Sequence, residues 1–212
     1  MNRTIWIARH GNRLDFVNPD WFNTAERPYD PPLSEDGFIQ AQELARRLKP
    51  EKISHIFCSP FLRTVQTASC IAEMLDLPLK IEAGLSEWLN PEWMRDKPET
   101  LPLKVLQEHF PRLDLSYTSH VVPEYPETAE ELKERTGRIA RTLVEQLTED
   151  ILFVGHGASV CGTTQGLVSG NPYVNASLCS LVKLVGHNGN WHMKLNGDTS
   201  HLSSTESKVR FN

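Results

Sequence analysis

The chain has 212 residues, of which 39% are hydrophobic, and a formal net charge of −5. That length suits one domain with a sizeable core, and the acidic balance without any basic run excludes non-specific nucleic-acid binding. No apolar stretch is long enough to predict a transmembrane helix, so we expect no membrane-spanning segment.

The first predicted element is a buried strand over residues 5–8, an apolar run with β-branched and aromatic members. It stops at Arg9, His10 and Gly11, where the glycine allows a sharp turn. Ligands bind at the carboxyl ends of strands in open α/β sheets. His10 beside the permanent cation of Arg9 is therefore a candidate nucleophile for an anionic substrate, although polar residues that simply reach water would give the same pattern.

Residues 12–32 are polar and irregular and contain four prolines, which predicts a long loop. A loop of this length is either functional or a packed surface loop, and its sequence favours neither. A helix follows, with Ser34 as its N-cap and acidic residues in its first turn, and it ends at Pro50.

The second predicted strand covers residues 53–58, after which Ser59 and Pro60 read as a cap and a first helical residue. Arg63 lies in the first turn of this helix, where the helix dipole disfavours a cation. Together with free backbone N–H groups, Arg63 would suit a bound phosphate. An arginine that points into solvent is the alternative.

A third strand is predicted over residues 79–82, and Glu87 follows it. Glu87 is either an ordinary surface carboxylate or a general acid whose pKa is raised by burial and by Trp88. Residues 89–127 are rich in proline and contain one short helix signal. We interpret them as an excursion that covers the site and shapes specificity.

The longest predicted helix covers residues 128–147 and begins with a capping-box pattern. The fourth strand, residues 151–154, ends in Gly155-His156-Gly157, which repeats the arrangement after the first strand. Four strands that alternate with helices predict an α/β fold with a mostly parallel central sheet covered on both faces.

Two further strands are predicted over residues 178–185 and 191–195, and Asn188-Gly189 between them is a hairpin signal. The tail over residues 197–212 is polar, and we expect it to be poorly ordered.

If the strand ends converge, one pocket holds two imidazoles, two guanidiniums and a carboxylic acid. Phosphoryl transfer through a histidine needs such a set. His10 would attack phosphorus, while Arg9 and Arg63 would bind the equatorial oxygens bidentately. His156 would donate to a phosphoryl oxygen. Glu87 would protonate the leaving oxygen and then activate the attacking water.

These motifs resemble the histidine phosphatase superfamily, the branch that includes phosphoglycerate mutases and acid phosphatases. In the family's order they are Arg9-His10-Gly11, residues 32–37 with Gln40-Ala41, residues 59–63 with residues 66–68, Glu87 after a strand, and Gly155-His156-Gly157. The resemblance implies a three-layer α/β/α sandwich of the phosphoglycerate mutase type, a phosphohistidine on His10, and no metal or other cofactor. It implies phosphate-binding roles for Arg9, Arg63 and His156, and the role of proton donor for Glu87. We add Gly157 to the predicted phosphate-binding residues.

Arg13 departs from the pattern of many members, which carry Ser or Thr at this place. The departure is similar to the phosphatase domain of the ubiquitin-associated and SH3-domain proteins, where an arginine here joins the phosphate pocket. The Gly-Leu-Ser-Glu-Trp segment at residues 84–88 also looks like that branch. We therefore predict that Arg13 binds phosphate; a cation at the rim of the loop is the alternative.

The leading hypothesis is a cofactor-independent phosphomonoesterase of the histidine acid phosphatase type, acting on a phosphorylated small molecule or a phosphoprotein. A phosphoglycerate-type mutase is the nearest alternative, but residues 27–30 read Arg-Pro-Tyr-Asp where such mutases have Phe-Thr-Gly-Trp. A phosphoprotein-binding module without turnover would need neither His10 nor Glu87. No feature of the sequence sets an oligomeric state.

The sequence predicts a single domain over residues 1–196, with insertions at 12–32 and 89–127. The eight histidines show no HxxxH or HxH spacing, so no metal site is predicted. The four cysteines include no CxxC pair, and the apolar residues before Arg9 are too few for the core of a signal peptide. We therefore expect reduced cysteines and a cytoplasmic protein.

Overall fold

The computed structural model describes residues 3–187 and 189–204 and contains one six-stranded sheet. The strands are β1 (Arg3–Arg9), β2 (Ile53–Cys58), β3 (Leu79–Ile81), β4 (Asp150–Gly155), β5 (Leu181–His187) and β6 (Asn190–Asp198). Their order is β3-β2-β4-β1-β5-β6. The first four strands run parallel, and β5 and β6 form an antiparallel edge. The prediction of a mostly parallel sheet is confirmed.

Seven α-helices accompany the sheet among the described residues. They are α1 (Leu14–Val17), α2 (Trp21–Thr24), α3 (Glu35–Leu48), α4 (Leu62–Leu75), α5 (Leu103–His109), α6 (Ala129–Gln146) and α7 (Gly157–Leu167). Apolar residues of α3, α4 and α5 belong to one core cluster, and those of α6 and α7 belong to a second. The three-layer α/β/α sandwich is therefore confirmed.

The buried strand predicted at the start of the chain lies at the centre of this sandwich. Trp6 and Ala8 pack into the core of α3 and α4, whereas Ile5 and Ile7 pack into the core of α6 and α7. Because successive side chains of a strand point to opposite faces, a strand covered on both sides reads as a continuous apolar run.

The first turn of α3 packs directly on the backbone that follows β1. Ser34 caps this helix, since its Oγ accepts the Gly37 N–H at 3.3 Å, which confirms the predicted N-cap. The Ser34 N–H donates to Asn12 O at 3.0 Å, and Asn12 N–H donates to Gln40 Oε1 at 2.8 Å. These contacts fix the chain just beyond β1.

We expect Gly37→Ala to lower the free energy of unfolding by about 2 kcal/mol, because overpacking forces the backbone to shift. A Cβ at Gly37 would lie 2.1 Å from the Asn12 carbonyl oxygen. Urea denaturation would measure the change, with Ile39→Ala as the control in the same helix, at a side chain that is 54% exposed. Equal stability of the two variants would contradict the prediction.

Some element boundaries differ from those predicted. The segment over residues 12–32 is not a continuous loop but contains the four-residue helices α1 and α2. Helix α4 begins at Leu62 rather than at Pro60, since the Ser59 side chain turns back to accept the Phe61 N–H at 3.3 Å. The capping box at the start of α6 is present as predicted.

The C-terminal strands extend further than the sequence indicated. β6 continues to Asp198, and Leu202 packs against the core, so ordered structure runs past residue 196. In the predicted hairpin, Gly189 adopts φ +81°, whereas Asn188 and residues 205–212 of the tail lie outside the described residues. None of the described helices is both long and apolar enough to span a membrane.

Candidate active site

Two imidazoles meet where the parallel strands β1 and β4 end. The last residues of these strands, Arg9 and Gly155, pair in register, so His10 and His156 follow at the same edge of the sheet. The His10 N–H donates to Gly155 O at 3.0 Å, and the two ring centroids are 5.2 Å apart. Both histidines are fully buried.

The main chain fixes the tautomer of His10. Its Nδ1 lies 2.7 Å from Gly11 O, and because a carbonyl oxygen can only accept, Nδ1 carries the proton. Nε2 then holds the lone pair, to which Arg63 Nε donates at 3.4 Å. Burial and the charge of Arg63 lower the pKa of His10 well below its ordinary value, so the ring is a neutral base at neutral pH.

Arg63 joins the catalytic candidates to one another, and its side chain is fully buried. Its Nη2 lies 3.2 Å from His156 Nδ1 and 3.6 Å from Glu87 Oε2, while Nη1 donates to Tyr29 O at 3.4 Å. Burial lowers the pKa of Arg63 to about 10, so the guanidinium stays charged at neutral pH. The alternative of an arginine in solvent is wrong.

Glu87 is buried beside the histidines rather than exposed at the surface. Its Oε2 lies 3.3 Å from His156 Nδ1, and its Oε1 accepts the Trp88 N–H at 3.0 Å. Burial alone would raise the pKa of Glu87, but His156 and Arg63 outweigh it and hold that pKa below its usual range. The expectation of a raised pKa is therefore wrong for this arrangement of side chains, in which Glu87 is a carboxylate.

His156 is held by a residue that sequence reasoning treated only as a helix cap. Its Nε2 lies 2.8 Å from Ser59 Oγ. Burial lowers the pKa of His156 to about 4 and outweighs the attraction of Glu87, so the ring is neutral at neutral pH. Ser59 stands inside one of the motifs, but only the fold brings it to the imidazole.

Arg9 is buried at the end of β1, and its Nη1 donates to Ala176 O at 2.8 Å. Burial lowers its pKa to about 10, which leaves it charged at neutral pH. A Cβ at Gly157 would lie 3.4 Å from Arg9 Cζ. Gly157, the first residue of α7, thus lies against the arginine and leaves room for its guanidinium.

Arg13 is also buried, but an acidic side chain that sequence reasoning missed is bound to it. Its Nε and Nη2 donate to the two carboxylate oxygens of Asp15 at 2.8 and 2.5 Å. Its guanidinium stacks on the Phe16 ring, 4.5 Å from the centroid. Arg13 contributes positive charge near Arg63 and His156, although Asp15 offsets part of it.

Asp30 is a second acidic residue that sequence reasoning missed. Its Oδ1 accepts the Leu62 N–H at 2.7 Å, so it caps α4 from the preceding segment, and among the described residues Oδ2 has no hydrogen-bond partner. Burial raises the pKa of Asp30 to about 6, although Arg63 and Arg27 counteract the rise. No spacing in the sequence marks this role.

We expect Asp30→Asn to stabilise the protein at pH 8 by about 3 kcal/mol, since the pKa of Asp30 is about 6 rather than 3.8 and each pKa unit corresponds to about 1.4 kcal/mol. The folded-state pKa lies above the ordinary 3.8, so ionisation destabilises the fold as the pH rises from about 4 to 6. An amide can still accept the Leu62 N–H.

The difference in unfolding free energy between wild type and Asp30→Asn, measured from pH 4 to pH 8, isolates this effect. Contributions of His10 and His156 occur in both proteins and cancel. The stabilisation should be absent near pH 4 and complete above pH 6. A difference that does not depend on pH would contradict the assignment.

Among the described residues, one set of side chains, which lies in this pocket, could reach a metal ion. Ligand atoms of His10, Glu87 and His156 lie within 4.8 Å of one another. However, the Arg63 guanidinium lies against the same nitrogens and the same carboxylate, and Arg9 is buried nearby. Because like charges repel strongly at buried sites, this field favours an anion over a cation.

Comparisons with known proteins agree with the fold and the motifs. A family model for the histidine phosphatase superfamily (branch 1) matches residues 5–199. The chain is 32% identical over 178 residues to the transcription factor tau 55 kDa subunit of Saccharomyces cerevisiae, covering 74% of this chain and 39% of that protein. It is 28% identical over 239 residues to ecdysteroid-phosphate phosphatase of Drosophila melanogaster, covering 91% and 32%. It is 32% identical over 226 residues to human ubiquitin-associated and SH3 domain-containing protein A, covering 86% and 34%.

The chain thus spans only about a third of the length of these relatives. Among solved structures, ecdysone phosphate phosphatase from Bombix mori in complex with tungstate matches with a TM-score of 0.78 and 22% identity, covering 99% of this chain and 98% of that one. A phosphoglycerate mutase from Bacillus anthracis matches with a TM-score of 0.68 and 20% identity, covering 95% and 96%. At these identities the structures establish the fold.

Proposed function

Because the chain belongs to the histidine phosphatase superfamily (branch 1), we propose that it hydrolyses phosphomonoesters through a phosphohistidine on His10, without a metal ion. The observation that carries the proposal is the state of His10. Its Nδ1 proton is held by Gly11 O, and its Nε2 lone pair faces Arg63 in a buried pocket. A neutral nitrogen nucleophile beside a fixed cation is suited to attack on a phosphoryl group.

In the first half-reaction, His10 Nε2 attacks phosphorus and the bond to the ester oxygen breaks. The guanidiniums of Arg9, Arg13 and Arg63 bind the nonbridging oxygens as charge develops on them. His156 donates a hydrogen bond to one of these oxygens. Protonated Glu87 gives its proton to the leaving oxygen, so the product is a neutral alcohol.

In the second half-reaction, the Glu87 carboxylate accepts a proton from water as that water attacks the phosphohistidine. The phosphorus–nitrogen bond breaks, inorganic phosphate forms, and the lone pair returns to His10 Nε2. The same carboxyl group thus serves as acid and then as base.

Substrate binding supplies the protonated Glu87 that the first half-reaction requires. His156 and Arg63 hold the pKa of Glu87 below its usual range. A bound phosphate dianion offsets the charge of Arg63 and places negative charge near the carboxylate, and both effects raise the pKa of Glu87. Binding of the substrate phosphate therefore converts Glu87 from a base to an acid.

The segments over residues 12–32 and 89–127 meet beside Arg63. In this proposal, they contact the organic part of the substrate. Tyr29 packs in a cluster with Phe61 and Met94, and the Tyr29 hydroxyl accepts the Arg95 N–H at 2.9 Å. The Phe61 ring lies 5.1 Å from that of His156 and also lines a largely apolar cavity of about 360 Å³. We propose a phosphorylated small molecule or a phosphoprotein side chain as the substrate.

The proposal is tested by phosphate release from p-nitrophenyl phosphate with EDTA present. Rapid quenching during turnover should trap a phosphoenzyme that is stable in alkali and labile in acid, as a nitrogen-linked phosphate is. Release without such an intermediate would overturn the phosphohistidine route. Interconversion of phosphoglycerates without net release would identify a mutase, and phosphate binding without turnover would identify a binding module.

A further inference from the structure

A buried ion pair lies behind the loop that carries Glu87. Arg135 of α6 and Glu127 are 5% and 6% exposed. They form a bidentate pair, in which Arg135 Nε and Nη2 donate to the two carboxylate oxygens at 2.6 and 2.7 Å. A buried, doubly hydrogen-bonded pair of this kind has one fixed geometry.

The remaining donors of Arg135 all reach the main chain of the Glu87 loop. Nη1 donates to Gly84 O at 2.8 Å and to Ser86 O at 3.2 Å, and Nη2 donates to Glu87 O at 3.2 Å. A guanidinium has five N–H donors, and each has a partner here. One side chain therefore holds three main-chain carbonyl oxygens of this segment.

Glu127 holds the other end of the same segment. Its Oε2 accepts the Leu89 N–H at 3.4 Å, and its own N–H donates to Leu89 O at 3.0 Å. Its carbonyl oxygen accepts from Trp88 Nε1 at 2.8 Å. Hydrogen bonds to Arg135 and Glu127 thus hold the main chain from Gly84 to Leu89 on one side. The Glu87 carboxylate points to His156 on the opposite side.

We propose that Arg135 and Glu127 are positioning residues that set the distance of the Glu87 carboxyl group from the leaving oxygen. This inference rests on the proposed function, in which Glu87 transfers the proton. The two side chains neutralise each other, so they act on the placement of Glu87 rather than on its charge. A misplacement of about 1 Å costs about 10²-fold in a step that depends on geometry.

The test compares two substrates that differ in their need for a proton. The leaving group of p-nitrophenyl phosphate departs as a stable anion, whereas an alkyl phosphate such as β-glycerophosphate requires protonation. For Arg135→Lys we expect kcat/KM to fall about 10²-fold with the alkyl phosphate and to change little with p-nitrophenyl phosphate. A lysine keeps the charge but cannot span Glu127 and three carbonyl oxygens.

Glu87→Gln is the comparator, since it removes the acid itself and should give the same pattern more strongly. Arg141→Lys is the matched control, because Arg141 lies exposed on the same helix. It should leave kcat/KM unchanged with both substrates. Glu127→Gln tests the other half of the pair and replaces Arg135→Lys if that variant does not fold. Equal losses with both substrates would show a merely structural role and overturn the inference.

The comparator separates failure of the proposed acid role of Glu87 from failure of the positioning role of Arg135 and Glu127. If Glu87→Gln does not discriminate between the substrates, the proposed acid role of Glu87 fails. If Glu87→Gln discriminates and the Arg135 and Glu127 variants do not, only the positioning role fails.

Discussion

His10→Ala should lower kcat/KM for p-nitrophenyl phosphate by about 10⁵-fold, in the range seen when a covalent nucleophile is removed. The variant lacks the imidazole whose Nε2 lone pair faces Arg63 while a main-chain carbonyl oxygen holds the proton on Nδ1. No alkali-stable phosphoenzyme should form. Initial rates with EDTA present, together with rapid quenching, measure both effects.

The control for His10→Ala is His109→Ala, at the end of α5 and outside the pocket. The control should retain wild-type rates. Binding of inorganic phosphate to His10→Ala should persist, because the arginines remain. If His10→Ala kept more than about a tenth of the wild-type rate, the nucleophile would have to be another group, since a lost nucleophile costs far more than one unit of log rate.

Arg63→Lys should lower kcat/KM by about 10³-fold, corresponding to about 4 kcal/mol of transition-state stabilisation. Arg63 reaches His10, His156 and Glu87 from one guanidinium. A lysine keeps the charge but offers a single donor centre, so it cannot orient two imidazoles and hold phosphoryl oxygens at once. The size of the loss therefore reports the forked geometry rather than the charge.

Steady-state kinetics and phosphate binding would measure the effect of Arg63→Lys. Arg112→Lys is a suitable control, because Arg112 is partly exposed and pairs with Asp76 on the surface. We expect phosphate to bind more weakly to Arg63→Lys while the thermal midpoint changes little. A loss below about tenfold would show that charge alone suffices at this position.

The convergence of the strand ends could be predicted from the sequence, because parallel strands present their carboxyl ends at one edge of a sheet. Arg9, His10 and His156 follow apolar runs that are recognisable locally, and Arg63 stands in a recognisable first turn. The structure brings these four together with Glu87. Their chemical roles remain predictions until the variants are measured.

What the sequence could not predict depends on contacts between distant parts of the chain. The pKa of Glu87 is lowered because His156 and Arg63 reach it through the fold, whereas the neighbouring Trp88 suggested the opposite sign. Asp30 caps a helix that begins far along the chain. Asp15 stands close to Arg13 in sequence, but the two side chains pair only because α1 begins between them and turns the backbone to suit the contact.

The register of β1 against β4 has a consequence for the biosynthesis of the protein. Ile5 pairs with Ile151 and Arg9 with Gly155, so the two halves of the pocket come from opposite ends of the domain. A nascent polypeptide on the ribosome cannot complete the phosphate pocket until β4 and the start of α7 have been translated. Such non-local pairing slows folding, because a long loop must close before its contacts stabilise it. Phosphate binding by a growing or truncated chain would therefore mark the moment at which the sheet closes.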